Sequence, residues 1–220
     1  MPKEIITDTT GRALPGTQTA KKRGRPVLDG SESIRQDLIR KSAQLFRTKG
    51  YDNTTVRDIA AAVGIQSGSW FYHFKTKQDI LVAVMEQGMQ KSLEEIEKLA
   101  LADLPPRLAF QHLVKVHLNT LLAPEHDFIA VLLYEWRALD KPARARIIAL
   151  KDKYEAAWEK VITDLHASGD WAMPTRIDKL LMFGTLNWTA QWYRRGSGIS
   201  IDELAEQALQ FILRTKSDQS

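Results

Sequence analysis

Apolar residues recur every three or four positions through most of the chain from Ser31 onward, which predicts a succession of amphipathic α-helices. The chain shows no sustained alternation of apolar and polar residues of the kind that marks strands and hairpins. Helices are expected near residues 33–49, 55–63, from about 66, then 76–100, 105–122, 125–138, 141–167, 175–194 and 201–214. The pattern therefore predicts an all-α fold of about nine helices.

Residues that begin and end helices lie at the edges of these segments. In a capping box, a Ser or Thr hydroxyl accepts from the N3 amide while the N3 side chain reaches back. Five pairs fit this pattern: Ser33/Gln36, Thr55/Asp58, Thr76/Asp79, Thr175/Asp178 and Ser200/Glu203. Asp103 and Asp140, each followed closely by proline, predict two further helix starts. Four glycines are expected at helix ends: Gly50, Gly64, Gly169 and Gly196.

Positive charge is concentrated in the first third of the chain. Residues 1–75 hold 13 Lys and Arg against 7 Asp and Glu, whereas residues 76–220 hold 18 against 20. This asymmetry indicates an anionic partner for the N-terminal part, and nucleic acid is the first candidate.

Residues 1–30 have no helical periodicity and are predicted to form a disordered basic arm. The arm contains the sequence KKRGRP, whose RGRP part resembles the core of an AT-hook. Arg23 and Arg25 could therefore lie in a DNA minor groove, where a narrow, negative channel attracts arginine. The alternative is a tail that only improves solubility.

Composition narrows the class of protein. The chain has no Cys, so disulfides and thiolate metal sites are excluded. No apolar run approaches the ~20 residues that span a bilayer, and the opening residues lack the apolar segment of a signal peptide. We expect a cytoplasmic protein that uses no membrane, metal or cofactor.

Enzyme signatures are missing as well. The sequence has no HExxH, Walker loop or nucleophile elbow. His112 and His117 are five positions apart, so they would lie about 140° apart around a helix. We therefore expect that the protein is not an enzyme.

The first helices form a helix-turn-helix pattern. Helices near 33–49 and 55–63 are short, and Gly64-Ile65 makes a tight turn into a third helix. That third helix carries five consecutive rings, WFYHF, from Trp70 to Phe74. Five consecutive helical residues point in all directions, so one side faces the core and the others face outward.

Residues 34–81 resemble the DNA-binding domain of the TetR family of bacterial transcriptional regulators. The matching positions are Phe46, Gly50-Tyr51, Thr54-Thr55-Val56, Ile59-Ala60, Val63-Gly64-Ile65, Trp70 to Phe74 and Lys77. The resemblance implies a helix-turn-helix domain over residues 31–77 and an effector-binding and dimerisation domain over residues 78–216. It further implies a repressor that a small molecule releases from a palindromic operator.

The resemblance assigns DNA contacts to particular residues. With the third helix in the major groove, Gln66, Ser67 and Ser69 can reach base edges, and Gly68 permits close approach. Tyr72, His73 and Lys77 are expected at phosphates, with Thr54 and Thr55 as a further phosphate clamp. The alternative for Thr55 is a helix cap alone. Trp70 and Phe71 depart from the usual residues: we expect Trp70 in the core and Phe71 near a thymine methyl group or a sugar.

The C-terminal helices are predicted to bind the effector. Residues 186–206 resemble a subgroup of the family that responds to acyl-CoA thioesters, with Arg194 and Arg195 as candidate phosphate ligands. The alternative is that these arginines offset a helix dipole. Other expected effector contacts are Phe128, Leu132, Tyr134, Arg137, Trp188 and Trp192, although an aromatic stripe is more often core.

The last two predicted helices each carry a full apolar stripe. A pair from each of two subunits would form a four-helix bundle, a self-complementary two-fold contact. The expected interface residues are Leu181, Gly184, Trp188, Leu204, Ala208 and Phe211, and the alternative is an ordinary core within one chain. A second alternative for the whole protein is an architectural DNA binder that uses only the basic arm, which would leave the helical remainder without a role.

Overall fold

The computed structural model describes residues 30–122, 127–194, 196 and 198–213. Within these ranges the chain forms eight α-helices and three short 3-10 helices and has no β-strand. The α-helices are α1 (Gly30–Lys49), α2 (Val56–Val63), α3 (Lys77–Glu97), α4 (Pro106–Leu122), α5 (Asp127–Tyr134), α6 (Lys141–Ala167), α7 (Arg176–Trp192) and α8 (Ile201–Ile212). The 3-10 helices are Ser69–Tyr72, Leu101–Asp103 and Trp136–Ala138. The all-helical prediction is confirmed.

Most helix starts follow the local sequence. The Thr55 hydroxyl accepts from the Asp58 N–H at 3.1 Å, and the Asp58 carboxylate accepts from the Thr55 N–H at 2.8 Å. The same reciprocal pair opens α3 at Thr76, α7 at Thr175 and α8 at Ser200. Asp140 caps α6 by accepting from the Ala143 N–H at 2.8 Å. These predicted helix starts are confirmed. The sequence could predict them because the two partners of each bond are only three residues apart.

Two predicted helix starts are wrong. α1 begins at Gly30, three residues before the expected cap Ser33, so Ser33 and Gln36 lie inside the helix. Asp103 is the last residue of the 3-10 helix Leu101–Asp103, and α4 begins only at Pro106. Proline suits the first turn of a helix because its missing N–H would have no partner there.

The predicted third helix is a single 3-10 turn, which is why the structure has eight α-helices rather than nine. A turn at residues 67–68 leads into Ser69–Tyr72, and the His73 N–H donates to the Trp70 carbonyl at 2.9 Å. The capping box at Thr76 then starts α3. Likewise, the helix expected over 125–138 is divided into α5 and the 3-10 helix Trp136–Ala138.

Gly50, Gly64 and Gly169 end helices where the sequence predicts them, whereas α7 ends at Trp192, before Gly196. Gly50, Gly64, Gly169 and Gly196 all have φ between 80° and 82°, the left-handed region that glycine adopts without strain. At the end of α2, the Gly64 N–H donates to the Ala61 carbonyl at 3.1 Å and the Ile65 N–H donates to the Ala60 carbonyl at 3.0 Å. This turn directs the chain into the segment that carries the aromatic run.

The buried side chains form two hydrophobic cores. The first core joins α1, α2 and the 3-10 helix Ser69–Tyr72 to the first half of α3, to α5 and to the start of α6. The second core joins the C-terminal half of α3 to α4, α6, α7 and α8. Because α3 contributes to both cores, no break in packing coincides with residue 77, and the expected domain boundary there stays a prediction.

α3 and α5 cross closely at Gly88. A Cβ atom placed on Gly88 would lie 2.9 Å from the Phe128 Cβ and 3.4 Å from the Ile129 Cδ1. Only glycine allows the two helices to approach this far. The contact holds α5 against the middle of α3, between the two cores.

Among the described residues, none of the helices combines the length and the apolar character that a membrane crossing requires.

Candidate nucleic-acid interface and effector cavity

The segment 66–73 has one side in the first core and the other in solvent. Trp70 is completely buried, and its ring centroid lies 5.6 Å from that of Phe74, which is 5% exposed. Phe71 and Tyr72 point outward, with 66% and 89% of their surfaces exposed. The expected core position of Trp70 is confirmed, and Phe74, four positions later, lies on the same buried side. Two large exposed rings side by side are unusual on a folded protein and indicate a contact surface.

The remaining residues of this segment border the exposed rings. Gln66, Ser67 and Gly68 are exposed, and Ser69 and His73 are half-buried. Gly68 has φ of −68°, and a Cβ atom there would meet nothing within 4 Å. The protein itself therefore does not require glycine at this position. Close approach of DNA stays our prediction for it.

The expected phosphate clamp at Thr54 is wrong. Thr54 is completely buried, and its hydroxyl donates to the Gly50 carbonyl at 2.8 Å. Its hydroxyl therefore closes the turn between α1 and α2 and cannot reach DNA. Thr55 is exposed and forms the cap of α2, and its phosphate contact, which is compatible with capping, stays a prediction.

Lys77, which was expected at a phosphate, has its ammonium group bound within the protein. The Nζ donates to the carbonyls of Tyr51 at 2.7 Å and Thr54 at 3.0 Å, and it lies 4.1 Å from the centroid of the Tyr51 ring. A third, longer bond of 3.5 Å reaches the Asp52 carbonyl. Three donors are thereby directed at the loop between α1 and α2. Lys77 fastens that loop to the start of α3.

Arg23 and Arg25, the expected minor-groove residues, lie outside the described residues, as does Arg195.

A cavity of about 310 Å³ lies among α3, α4, α5, α6 and α7. Its walls are mostly apolar, and they carry a polar cluster on one side and Lys151 with its ion-pair partner Glu155 on another. The lining residues are Met89, Ser92, His117, Thr120, Leu121, Ile129, Leu132, Leu133, Lys151, Tyr154, Glu155, Leu180, Phe183, Gly184 and Asn187. This size and composition are typical of sites for small lipophilic molecules.

Of the expected effector residues, only Leu132 lines this cavity. Phe128 belongs to the first core and packs against Gly88. Tyr134 is half exposed and its hydroxyl accepts from the Gln191 side chain, while Arg137 is exposed on the 3-10 helix that follows. Helix period alone did not tell which face of α5 turns toward the cavity, and these three residues do not line it.

The assignments at the end of α7 need correction too. Trp188 and Trp192 are 66% and 50% exposed and face away from the cavity. The Arg194 guanidinium donates to the carbonyls of Tyr193 at 3.0 Å and Gln191 at 3.3 Å. Arg194 therefore satisfies carbonyls at the C-terminus of α7, which agrees with the helix-dipole alternative.

The cavity wall contains a hydrogen-bonded cluster that the sequence did not predict. His117 Nδ1 lies 2.8 Å from the Tyr154 hydroxyl, and His117 Nε2 lies 3.0 Å from Asn187 Oδ1. Burial lowers the pKa of His117 to about 4 and raises that of Tyr154, so both groups are neutral at physiological pH. The available signal was weak: each is a polar residue on the apolar face of its helix, and the three helices are far apart in sequence.

The outer surface of α7 and α8 carries an apolar groove lined by Leu181, Gly184, Trp188, Ala208 and Phe211, among others; we call it the outer groove. Leu181 and Phe211 are 64% and 59% exposed, whereas Leu204 is only 8% exposed and belongs to the second core. Leu204 packs within its own chain but also lines the outer groove. All six expected interface residues border the outer groove, and their role stays a prediction.

The short helix pair and the exposed turn after it, joined to a larger helical unit, define a helix-turn-helix type of regulator. Residues 38–84 match the family model for bacterial regulatory proteins of the tetR family. Residues 103–215, just over half of the chain, match the tetracyclin repressor-like C-terminal domain. The chain belongs to the TetR family of bacterial transcriptional regulators and is a DNA-binding regulator of transcription.

Individual proteins are similar to this chain over most of its length. The HTH-type transcriptional repressor KstR2 of Rhodococcus jostii (strain RHA1) is 28% identical over 189 residues, which cover 84% of this chain and 91% of the relative. A solved structure described as superantigen PfiT is 38% identical, covers 87% of this chain and 100% of that one, and has a TM-score of 0.71. AibR, solved in complex with isovaleryl coenzyme A and operator DNA, has a TM-score of 0.71 at 20% identity and shares the fold over 81% of this chain and 97% of its own.

Replacement of Lys77 by Met should destabilise the protein. The substitution removes charge-assisted bonds to two loop carbonyls, so we expect the free energy of unfolding to fall by about 1–3 kcal/mol. Lys75→Met, at an exposed neighbouring position, should change it by less than about 0.5 kcal/mol. Urea denaturation measures both. An unchanged stability together with a salt dependence of DNA binding reduced by about one charge would instead favour a phosphate contact.

Stability should depend on pH through His117. The pKa of His117 is about 4 in the folded protein and about 6.5 in the unfolded chain, so the unfolded state binds more protons between these values. Stability is therefore retained above pH 6.5 and falls as pH drops toward 4. Between pH 7.5 and 5, this group alone should cost about 2 kcal/mol.

His117→Gln should flatten that pH dependence, whereas His112→Gln, on the same helix outside the cavity, should retain it. Urea denaturation at a series of pH values, at constant protein concentration, provides the comparison. Equal slopes for the wild type and His117→Gln would contradict the burial of a neutral His117.

Proposed function

We propose that the protein is a homodimeric repressor that dissociates from a palindromic operator when a lipophilic effector occupies the cavity. One observation carries the proposal: α5 forms a wall of the cavity on one side and is bonded to the helix-turn-helix unit on the other. Ile129, Leu132 and Leu133 line the cavity, whereas Phe128 and Val131 pack in the first core. A ligand that displaces α5 therefore acts directly on the DNA-binding helices.

Two polar contacts support this coupling. The Arg47 guanidinium of α1 lies 2.5 Å from the Asp127 carboxylate at the start of α5. Beyond the end of α5, the Glu135 carboxylate accepts from the Tyr51 N–H at 3.0 Å. Tyr51 also provides one of the carbonyls that bind Lys77. Both ends of α5 are thus attached to the elements that set the orientation of segment 66–73.

The outward-facing side chains of segment 66–73 support contacts with DNA. Gln66, Ser67 and Ser69 are proposed to meet base edges, with Phe71 near a thymine methyl group or a sugar. Tyr72, His73 and Thr55 are proposed at phosphates. On the sequence alone, Arg23 and Arg25 are proposed to enter the adjacent minor groove.

These roles assign a function to each part of the chain. Residues 31–77 bind DNA, residues 78–216 bind the effector and a second subunit, and residues 1–30 form a basic arm. The protein acts in the cytoplasm, where bacterial DNA lies, and is not an enzyme.

The first candidate effector is an acyl-CoA thioester. AibR, which shares the fold, was solved with isovaleryl coenzyme A. At about 310 Å³ the cavity is at the lower end of ligand pockets, so it suits the acyl group and leaves the CoA moiety outside.

The outer groove supports the homodimer. Leu181, Trp188 and Phe211 each expose more than half of their surface on neighbouring faces of α7 and α8. Apolar patches of this kind mark interaction surfaces. A two-fold contact between two such faces buries both patches and brings two DNA-binding units to one palindrome.

Selection from a random pool of DNA duplexes tests the DNA-binding part of the proposal. We expect enrichment of a palindrome by the full chain. Gln66→Ala should relax the preference at individual base positions by about 1–3 kcal/mol, because a side chain that reads a base is lost. Tyr72→Phe should weaken binding to all sequences by roughly 1 kcal/mol. If no sequence is enriched, operator recognition is wrong.

The selected duplex then serves to test the effector. Isovaleryl-CoA, octanoyl-CoA, octanoate and free CoA are titrated into the protein–DNA complex, and fluorescence anisotropy follows the release of DNA. We expect release by at least one thioester and none by CoA. DNA that stays bound with every compound would refute the acyl-CoA assignment and leave DNA recognition standing.

The dimer has its own prediction. Trp188→Glu places a charge in the outer groove and should convert a species of twice the 25.0 kDa chain mass into a monomer in sedimentation velocity. Met173→Glu is the matched control, because Met173 is 77% exposed but does not border the outer groove. A Trp188→Glu protein that sediments as the wild type does would contradict an interface at this groove.

A further inference from the structure

We propose that Asn187, oriented by His117 and Tyr154, donates a hydrogen bond to a neutral oxygen of the effector, a carbonyl or a hydroxyl. The inference rests on the proposed function, because it assumes that the cavity is the effector site. It adds the chemical class of the group that binds there and the residues that select it.

The geometry of the cluster determines which atoms face the cavity. Asn187 Oδ1 lies 3.0 Å from His117 Nε2, so the carbonyl end of the amide is directed at the imidazole. His117 Nδ1 in turn lies 2.8 Å from the Tyr154 hydroxyl. With Tyr154 donating to Nδ1, the imidazole proton lies on Nε2 and is donated to Asn187. The amide nitrogen of Asn187 then lies on the side of its amide group that is turned away from His117.

The amide nitrogen is free to bind a ligand. Within the described residues the Asn187 side-chain nitrogen has no hydrogen-bond partner, and Asn187 lines the cavity. Its two N–H groups are donors in an otherwise mostly apolar wall. When a ligand excludes water from the cavity, these donors need a new acceptor, and an effector oxygen would provide it.

The positions of His117 and Tyr154 are held firmly. The His117 ring lies 5.8 Å, centroid to centroid, from the Trp158 ring at an interplanar angle of 89°, and Trp158 is 1% exposed. His117 and Tyr154 are themselves 9% and 8% exposed. Rings packed in this way cannot rotate freely, so the direction of the bond to Asn187 is fixed before a ligand arrives. The cluster therefore favours a ligand oxygen at one place in the cavity.

The charge of the cavity disfavours a free carboxylate. His117 is neutral at physiological pH and provides no positive charge. Lys151 is the cation among the lining residues, and it is paired with Glu155. A carboxylate that entered would lose its hydration without gaining an unpaired cation. A ketone, a thioester carbonyl or an alcohol loses far less hydration free energy on entering the cavity.

Three probes of similar size separate these possibilities: propylbenzene, its ketone analogue propiophenone, and 3-phenylpropanoate. Isothermal titration calorimetry of the full-length wild type gives the dissociation constant of each. Because the ketone is inherently more hydrophilic than the hydrocarbon, the informative quantity is how the ratio of their dissociation constants changes on substitution. We expect 3-phenylpropanoate to bind most weakly.

Asn187→Leu removes the donors. The ratio of the propiophenone to the propylbenzene dissociation constant should rise about tenfold, which corresponds to the ~1.4 kcal/mol of one neutral hydrogen bond. Asn187→Asp keeps the shape and the acceptor for His117 but lacks the N–H donors, so it should raise the ratio in the same direction. Tyr154→Phe, which releases His117, should raise it by a smaller factor. Ser92→Ala is the control: its hydroxyl lines the cavity but donates to the Gly88 carbonyl, so the ratio should not change.

The outcomes distinguish this inference from the proposed function. If both neutral probes bind and Asn187→Leu leaves the ratio unchanged, the role of Asn187 is wrong while the cavity stays a ligand site. An equal rise in Ser92→Ala would also overturn it, because the effect would not be specific to the cluster. If neither neutral probe binds up to its solubility, the role of Asn187 in binding a neutral oxygen is wrong, while the acyl-CoA titration and the DNA selection decide the proposed function separately. Tight binding of 3-phenylpropanoate would refute the choice of a neutral oxygen.

Discussion

The crossing of α3 and α5 at Gly88 is the constraint on which the rest of the structure depends. A side chain at Gly88 would meet the Phe128 Cβ at 2.9 Å, so the two helices are as close as backbones with one glycine allow. This contact brings α5 into the space between the first and the second core. As a result, one short helix supplies Ile129 and Leu132 to the cavity and Phe128 and Val131 to the core of the helix-turn-helix unit. Because cores are close-packed, a displacement of α5 cannot be absorbed locally.

Segment 66–73 depends on buried anchors rather than on its own helical stability. A single 3-10 turn has too few backbone bonds to hold itself in place. Trp70 and Phe74 fix its inner side in the first core, and Lys77 fastens the neighbouring loop through the carbonyls of Tyr51 and Thr54. The exposed rings of Phe71 and Tyr72 can therefore be presented outward at defined positions. Tyr51 joins this arrangement to Glu135 and hence to the end of α5.

The cavity is neutral as well as apolar. Burial keeps His117 uncharged, and the ion pair of Lys151 and Glu155 neutralises the charged side of the wall. In the proposed effector site, selectivity would then come from hydrogen-bond donors and shape rather than from charge. Such a cavity matches an effector whose reactive or charged part lies elsewhere, as an acyl group attached to CoA would be.

Local features of this protein could be read from its sequence. Thr55, Thr76, Thr175 and Ser200 predicted helix starts because each cap involves residues three positions apart. The inward side of WFYHF followed from the same short-range geometry, since Trp70 and Phe74 are four apart. Family membership rested on many such positions within one continuous stretch. The all-helical class and the surface that carries Phe71 and Tyr72 were therefore accessible without coordinates.

Tertiary structure alone decided the partners that lie far apart in the chain. Lys77 was expected at a phosphate, but its ammonium binds the Tyr51 carbonyl 26 positions earlier. His117 meets Tyr154 across 37 positions and Asn187 across 70. Helical periodicity says which residues share a face, but not which other helix that face meets. The angles and distances at which helices pack depend on the whole core, and a polar residue on an apolar stripe acquires its role only there.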